Sequence, residues 1–174
     1  MKVNPMAVPF IIIILVFGLI GIATLFNFGQ SGGAQGVLLD DFTLQDPSTL
    51  SEFNMSQYKG SLILIDFMFT DCPSCSKVYP ELVKVHQEYP EVEIFTVTGN
   101  PDVDTPKIFM DYVNKPEYGI DWHVARDIYS VGYYQFRVNL FPTIVLIDKD
   151  FRLAETNVGP PSFATMNQWI ANRL

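Results

Sequence analysis

The chain is short of cysteine, of histidine and of positive charge. It has 2 cysteines and 2 histidines in 174 residues, and 11 lysines and arginines against 19 aspartates and glutamates. Each shortage excludes a class. A secreted scaffold stapled by structural disulfides needs more cysteines, more widely spaced, than the pair Cys72 and Cys75. A structural zinc site needs four ligands. Besides the two cysteines, only His86, His123 and carboxylates are on offer, and His86 falls roughly 16 Å beyond Cys75 along the same expected helix. A net charge of -8 argues against nucleic acid as a partner, because phosphate binding rests on Lys and Arg. No internal repeat is present. Hydrophobic residues make up 48% of the chain and aromatics 14%, which excludes extensive disorder and provides for one buried core.

Positive charge is also unevenly placed: Lys2 is the only cation before Lys59. Between them, Ala7 to Phe28 reads AVPFIIIILVFGLIGIATLFNF without a charge. As a helix it would reach about 33 Å, close to the thickness of a bilayer's hydrocarbon core. A buried core helix of that length would rarely be apolar on every face. One N-terminal transmembrane helix within residues 1–28 is therefore expected. Lys2 before the run and no cation soon after it place the N-terminus in the cytoplasm and the rest outside. A signal peptide cleaved near Ala34 is the alternative. The long apolar run and single Lys favour an uncleaved anchor, and no cysteine follows the run to carry a lipid. Residues 29–37, with GQSGGAQG, form a flexible linker, and residues 38–174 form one domain.

Within that domain, Ser61 to Phe69, SLILIDFMF, is nearly continuously apolar, as a strand buried on both faces of a sheet reads. Asp66 interrupts it. Leu38 to Leu44 is expected as a short strand or the entry into one, Glu93 to Thr98 as a second central strand and Ile120 to Val124 as an extended piece. Thr143 to Ile147 and Phe151 to Glu155 read as strands turning through Asp148-Lys149-Asp150. Helices are expected over Pro73–Tyr89, kinked at Pro80, over Asp104–Val113, over Arg126–Phe136, and after Ser162, with Phe163, Met166, Trp169 and Ile170 as its apolar stripe. The order predicts an α/β fold with a mixed central sheet flanked by helices.

Cys72-Pro73-Ser74-Cys75 falls where the buried strand gives way to a helix. Partial positive charge and free amides at a helix N-terminus stabilise a thiolate, and a thiolate is the species that attacks a disulfide. Cys72 is thus the expected nucleophile. Cys75, one turn on, is the expected resolving thiol, and the redox-active disulfide Cys72–Cys75 takes the place of a cofactor. Asp66, six residues before Cys72, is either a buried general base for Cys75 or an ordinary strand aspartate bonded to backbone.

LILIDFMFTDCPSC resembles the thioredoxin superfamily in its strand, Asp-Phe and Cys-x-x-Cys pattern. FPTIVLID, Phe141 to Asp148, resembles that superfamily's second signature, a proline before a strand. The resemblance covers nearly all of Leu38 to Leu174. It implies that Pro142 follows a cis peptide and packs against the cysteines. Phe141 beside it would shape a substrate groove, with Pro73 and Ser74 contributing. With its anchor, YKGSLILIDF and PTIVLIDKDFRL, the chain is most similar to the membrane-anchored TlpA/ResA-like group. That implies reductive thiol–disulfide exchange on protein substrates, apo-cytochrome or copper-site proteins among them, fed by a transmembrane electron donor. Two departures stand out. Thr70 and Asp71 replace the usual Trp before the first cysteine, and Asp71 opposes the helix dipole at Cys72. Asp150 replaces the usual Gly of the hairpin.

Three rivals share the fold. A Sco-like copper chaperone would use Cys72, Cys75 and His123 as ligands. A peroxiredoxin needs a Thr three residues before its cysteine, whereas Thr70 is two before Cys72. A thioredoxin-fold subunit of a membrane complex would keep the pair without using it.

Overall fold

The computed structural model describes residues 36–174, so the expected anchor and all but the end of the linker lie outside the described residues. Among the described residues eight strands form one sheet: β1 (Val37–Leu38), β2 (Thr43–Gln45), β3 (Glu52–Asn54), β4 (Ile63–Met68), β5 (Glu93–Thr98), β6 (His123–Arg126), β7 (Thr143–Ile147) and β8 (Arg152–Val158). Four α-helices join them: α1 (Tyr79–Glu88), α2 (Pro106–Val113), α3 (Val131–Gln135) and α4 (Phe163–Ala171). The strand order is β1-β8-β7-β4-β5-β6-β2-β3. β4, β5 and β6 run parallel, and the other pairings are antiparallel. This is the expected mixed sheet, in a thioredoxin-like α/β fold. Among the described residues no helix is long and apolar enough to cross a membrane.

β4 lies between β5 and β7, and all six of its residues are buried. Alternation along a strand sends successive side chains to opposite faces. Leu64 and Met68 join a core layer with α1, α2, α4 and both cysteines. Ile63, Ile65 and Phe67 join the other layer, with Phe42, Met55 and Phe136. Asp66 shares the parity of Leu64 and Met68, so it faces the cysteine layer.

Four expectations are refined or corrected. The stretch Leu38–Leu44 is not one strand but the entry into β2. β1 pairs with β8 at one edge of the sheet, while β2 pairs with β3 and β6 towards the other. The chain crosses the whole sheet in a few residues, which no local pattern reveals.

The helix expected from Pro73 splits into a 3₁₀ turn, Cys75–Lys77, and then α1 from Tyr79. Pro80 has no N–H to give Ser76, and its ring crowds the carbonyl one turn back. It therefore stands in the first turn of α1 and marks a boundary rather than a kink.

Arg126 ends β6 instead of opening a helix. It pairs with Thr98, and its guanidinium donates to Gln45 Oε1 (2.6 Å) and to the carbonyls of Pro101 (3.0 Å) and Asp104 (3.1 Å). α3 starts five residues later, where the buried Asp127 carboxylate accepts the N–H groups of Val131 (3.0 Å) and Tyr133 (2.9 Å). The extended piece expected at Ile120–Val124 is β6, shifted to His123–Arg126 by its pairing with β5. By contrast, Ser162 caps α4 as expected, its Oγ accepting from Thr165 N at 3.2 Å.

The Phe67 ring is fully buried, with centroids 5.0 Å from Tyr133 and 5.6 Å from Phe136. Phe67→Ala is expected to lower stability by about 3–5 kcal/mol in denaturant titrations. Tyr134→Ala, at a side chain 82% exposed, is expected to stay within about 0.5 kcal/mol of the parent.

Candidate active site

Beyond Met68 the chain leaves the sheet through Phe69, Thr70 and Asp71 and reaches Cys72. Cys72 and Cys75 are joined in a disulfide with Cα atoms 5.4 Å apart. The 3₁₀ geometry places them there: Cys75 N donates to Cys72 O (3.1 Å) and Val78 N to Cys75 O (3.2 Å). Cys75 is fully buried and Cys72 retains 6% exposure, so Cys72 is the sulfur nearer solvent. It borders an open cavity of about 200 Å³, lined also by Thr70, Asp71, Tyr112, Lys115 and Tyr118. Lys115 Nζ lies 4.8 Å and 5.3 Å from the Tyr112 and Tyr118 ring centroids.

Asp66 is fully buried in the middle of β4. It is not bonded to backbone, as an ordinary strand aspartate would be. Its Oδ2 accepts one long hydrogen bond from Thr96 Oγ1 (3.4 Å), and Oδ1 has no protein partner. Thr96 is its register partner on β5 and accepts in turn from Trp122 Nε1 (3.1 Å). Burial pushes the Asp66 carboxyl up to about 8, against a smaller opposing effect of the Thr96 bond. The Tyr79 side chain is fully buried in the same layer. Burial and then the charge of Asp66 raise its phenol well above the usual range.

The peptide between Phe141 and Pro142 is cis. Pro142 stands immediately before β7, and its carbonyl accepts from Gly159 N (2.8 Å). Phe141 packs edge-on against Phe69 (4.8 Å) and lies tilted against Tyr133 (5.6 Å). Ser74 Oγ reaches back from the motif to donate to the Phe141 carbonyl at 3.2 Å, and lies 3.5 Å from Cys72 Sγ. The structure thus brings Cys72, Cys75, Ser74 and Phe141 together, with Pro73 exposed between the cysteines.

His123 is not brought to them. It stacks on Phe95 (4.6 Å, 16° between planes) and pairs with Glu93 Oε2 (2.9 Å). Phe95 lies in the core layer on the opposite face of the sheet from the cysteines. The copper ligand set Cys72, Cys75 and His123 is therefore not assembled. No cluster of three or more His, Cys, Asp or Glu able to hold a metal occurs among the described residues. Thr70, the residue weighed for a peroxide site, is bound through its N–H and hydroxyl to the buried Asp104 carboxylate, which Thr98 also contacts.

Sequence reasoning missed Tyr133. Its hydroxyl donates to Met68 O and accepts from Gly99 N, both at 2.8 Å, and so clamps the ends of β4 and β5 beside the site. A Cβ on Gly99 would come within 1.9 Å of the Tyr133 ring, which accounts for the glycine. Nothing local separates Tyr133 from its exposed neighbour Tyr134. The Thr96–Trp122 support for Asp66 was equally invisible, because it arises from pairing between β4, β5 and the approach to β6.

A redox-active disulfide at the end of the central strand, with a buried carboxylate in the same layer and a cis-proline loop across from it, defines a thiol–disulfide oxidoreductase of thioredoxin fold. The chain belongs to the Redoxin family, whose family model matches residues 34–170. It is 26% identical over 162 residues to the thiol-disulfide oxidoreductase ResA of Bacillus thuringiensis, covering 91% of each chain. It is also 26% identical over 121 residues to the ResA of Halalkalibacterium halodurans, covering 68% of this chain and 65%, less than two thirds, of that one. Among solved structures, one from Chlorobium tepidum, assigned as a thiol:disulfide interchange protein DsbE, superposes with a TM-score of 0.69 at 20% identity. It covers 80% of this chain and 96% of that one, a likeness of fold.

The buried carboxyl has a stability consequence. Unfolded, Asp66 titrates near pH 4; folded, it titrates near 8. The folded state holds the proton more tightly, so stability is full below about pH 4, falls as pH rises towards about 8 and then levels. Asp66→Asn is expected to raise stability at pH 8 by a few kcal/mol, with the gain shrinking towards pH 4. Thermal unfolding across that range checks it.

Proposed function

We propose that this chain reduces disulfides in protein substrates outside the cytoplasm, tethered by residues 1–28 with its N-terminus inside. The observation that carries the reading is the Cys72–Cys75 disulfide held at the end of β4, in the same core layer as Asp66. The names of the ResA relatives and the charge-free apolar run support the activity and the location. Substrates would be proteins with paired cysteines, cytochrome and copper-site apoproteins among them. Electrons would come from a membrane dithiol protein.

The disulfide after β4 and the burial of Cys75 and Asp66 support a two-step cycle. The Cys72 thiolate attacks one sulfur of the substrate disulfide, and that bond breaks as the mixed disulfide forms. The substrate chain lies along Phe141 and Pro142. Asp66, in its ionised form, takes the Cys75 proton. The Cys75 thiolate then attacks Cys72 Sγ, closing Cys72–Cys75 and releasing the second substrate sulfur. The donor dithiol reopens the pair with two electrons, becoming a disulfide itself, and the protonated Asp66 returns its proton to Cys75. The fully buried Cys75 favours Cys72 as the attacking sulfur, since access governs exchange.

Cys75→Ser is expected to accumulate mixed disulfides through Cys72, visible on non-reducing gels; a reactive Cys72 that forms none would refute the exchange reading. A reduction potential below about -220 mV is expected for a reductant. Because a base acts only when ionised, resolution by Cys75 should accelerate as pH rises through about 8. Asp66→Asn should slow it by about 10²–10⁴-fold and remove the inflection, as single-turnover kinetics would show.

A further inference from the structure

Ser74 has one hydroxyl proton and two acceptors within reach. The Phe141 carbonyl is 3.2 Å from Oγ and Cys72 Sγ is 3.5 Å from it. A hydroxyl donates one hydrogen bond at a time. In the disulfide form Cys72 Sγ is a weak, neutral acceptor, and the carbonyl holds the proton at the shorter distance. Reduction changes the contest, because a thiolate is charged and hydrogen bonds to charged groups are about twice as strong as neutral ones.

We propose that Ser74 is a redox-switched positioning residue: its hydroxyl caps the Phe141 carbonyl while Cys72–Cys75 is oxidised and turns to the Cys72 sulfur when the pair is reduced, freeing that carbonyl to accept an N–H from the incoming substrate chain. The inference rests on the exchange function proposed above and deepens it. The switch needs only the electrons of the cycle itself. A dithiol donor gives two electrons to Cys72–Cys75, the S–S bond breaks, Cys72 leaves as thiolate and Cys75 takes a proton. The reduced protein then offers an open carbonyl beside a primed nucleophile. Once the substrate has been reduced and Cys72–Cys75 has closed, the hydroxyl returns to the Phe141 carbonyl and competes with the bound chain. Docking thus follows redox state, and the spent enzyme lets its product go.

Ser74 is well placed for this. It sits at the start of the 3₁₀ turn, is half-buried, and belongs to neither core layer, so its replacement does not open a core cavity. Asp71 and Lys115, the charged groups lining the cavity beside Cys72, remain the same in every variant compared.

The test uses the full chain in detergent micelles, as wild type, Ser74→Ala and Ser74→Thr. Two quantities are read. The first is the Cys72 titration, followed by thiolate absorbance in the reduced protein. The second is the affinity of each redox form for a short peptide whose two cysteines are S-methylated, so that it can dock but not react. Wild type is expected to bind the peptide about two- to tenfold more tightly when reduced. Ser74→Ala should abolish that ratio by tightening the oxidised form, and should raise the Cys72 pKa by about one to two pH units. Ser74→Thr, which keeps the hydroxyl, should restore both. Equal affinities in the two wild-type redox states, or a Ser74→Ala protein that keeps the wild-type ratio, would overturn the switch. If disulfide exchange persists in that case, the switch alone has failed; if wild type performs no exchange, the proposed function has failed with it.

Discussion

The molecule is organised around the double burial of β4. A strand covered on both faces and paired on both edges can move neither in register nor in depth, since a one-residue slip would exchange its two core layers. Its C-terminal end is therefore a fixed point, and the cysteine pair starts four residues beyond it. Tyr133 strengthens the same point by joining Met68 O to Gly99 N across the ends of β4 and β5. The site stands at the carboxyl ends of the parallel strands, where α/β sheets bind their ligands.

That rigid strand carries a carboxylate the core cannot solvate well. One long bond from Thr96, backed by Trp122, is all the help Asp66 receives. An apolar residue of similar size would serve packing better. Keeping a group there that favours its neutral form up to about pH 8 costs the fold stability at higher pH, and loss of stability at a site used for chemistry is a common pattern. Here the strand's burial is the direct cause of the carboxyl's chemistry.

Much of this was legible from residues in order. SLILIDFMF announces a doubly buried strand, Ser162 announces a helix start, and Cys72 to Cys75 announces redox chemistry. Errors clustered where a partner remote in sequence overrides local pattern. Arg126–Phe136 reads as helix, but Arg126 is held by Thr98, Gln45 and the carbonyls of Pro101 and Asp104, and the helix begins at Val131. Leu38–Leu44 reads as a short strand or the entry into one, and it is the entry into β2, its two ends on opposite sides of the sheet. His123 is the spare imidazole for a copper reading, but sequence gives no face, and pairing with Phe95 sets its ring on the other face of the sheet from the cysteines.

The chain's sequence alone determined the kind of chemistry: two thiols three apart after a buried strand, one carboxylate on that strand, a proline ahead of a later one, and an acidic surface. These follow from local periodicity and functional-group identity, which need no partner. The tertiary structure decided which groups meet. The Ser74 hydroxyl lies between Cys72 and the Phe141 carbonyl, 67 residues away, and Tyr133 clamps strand ends 34 and 65 residues distant. Such contacts depend on strand order and on the cis loop before β7. Strand order is set by how the strands of the sheet pair at once, and no single segment encodes that.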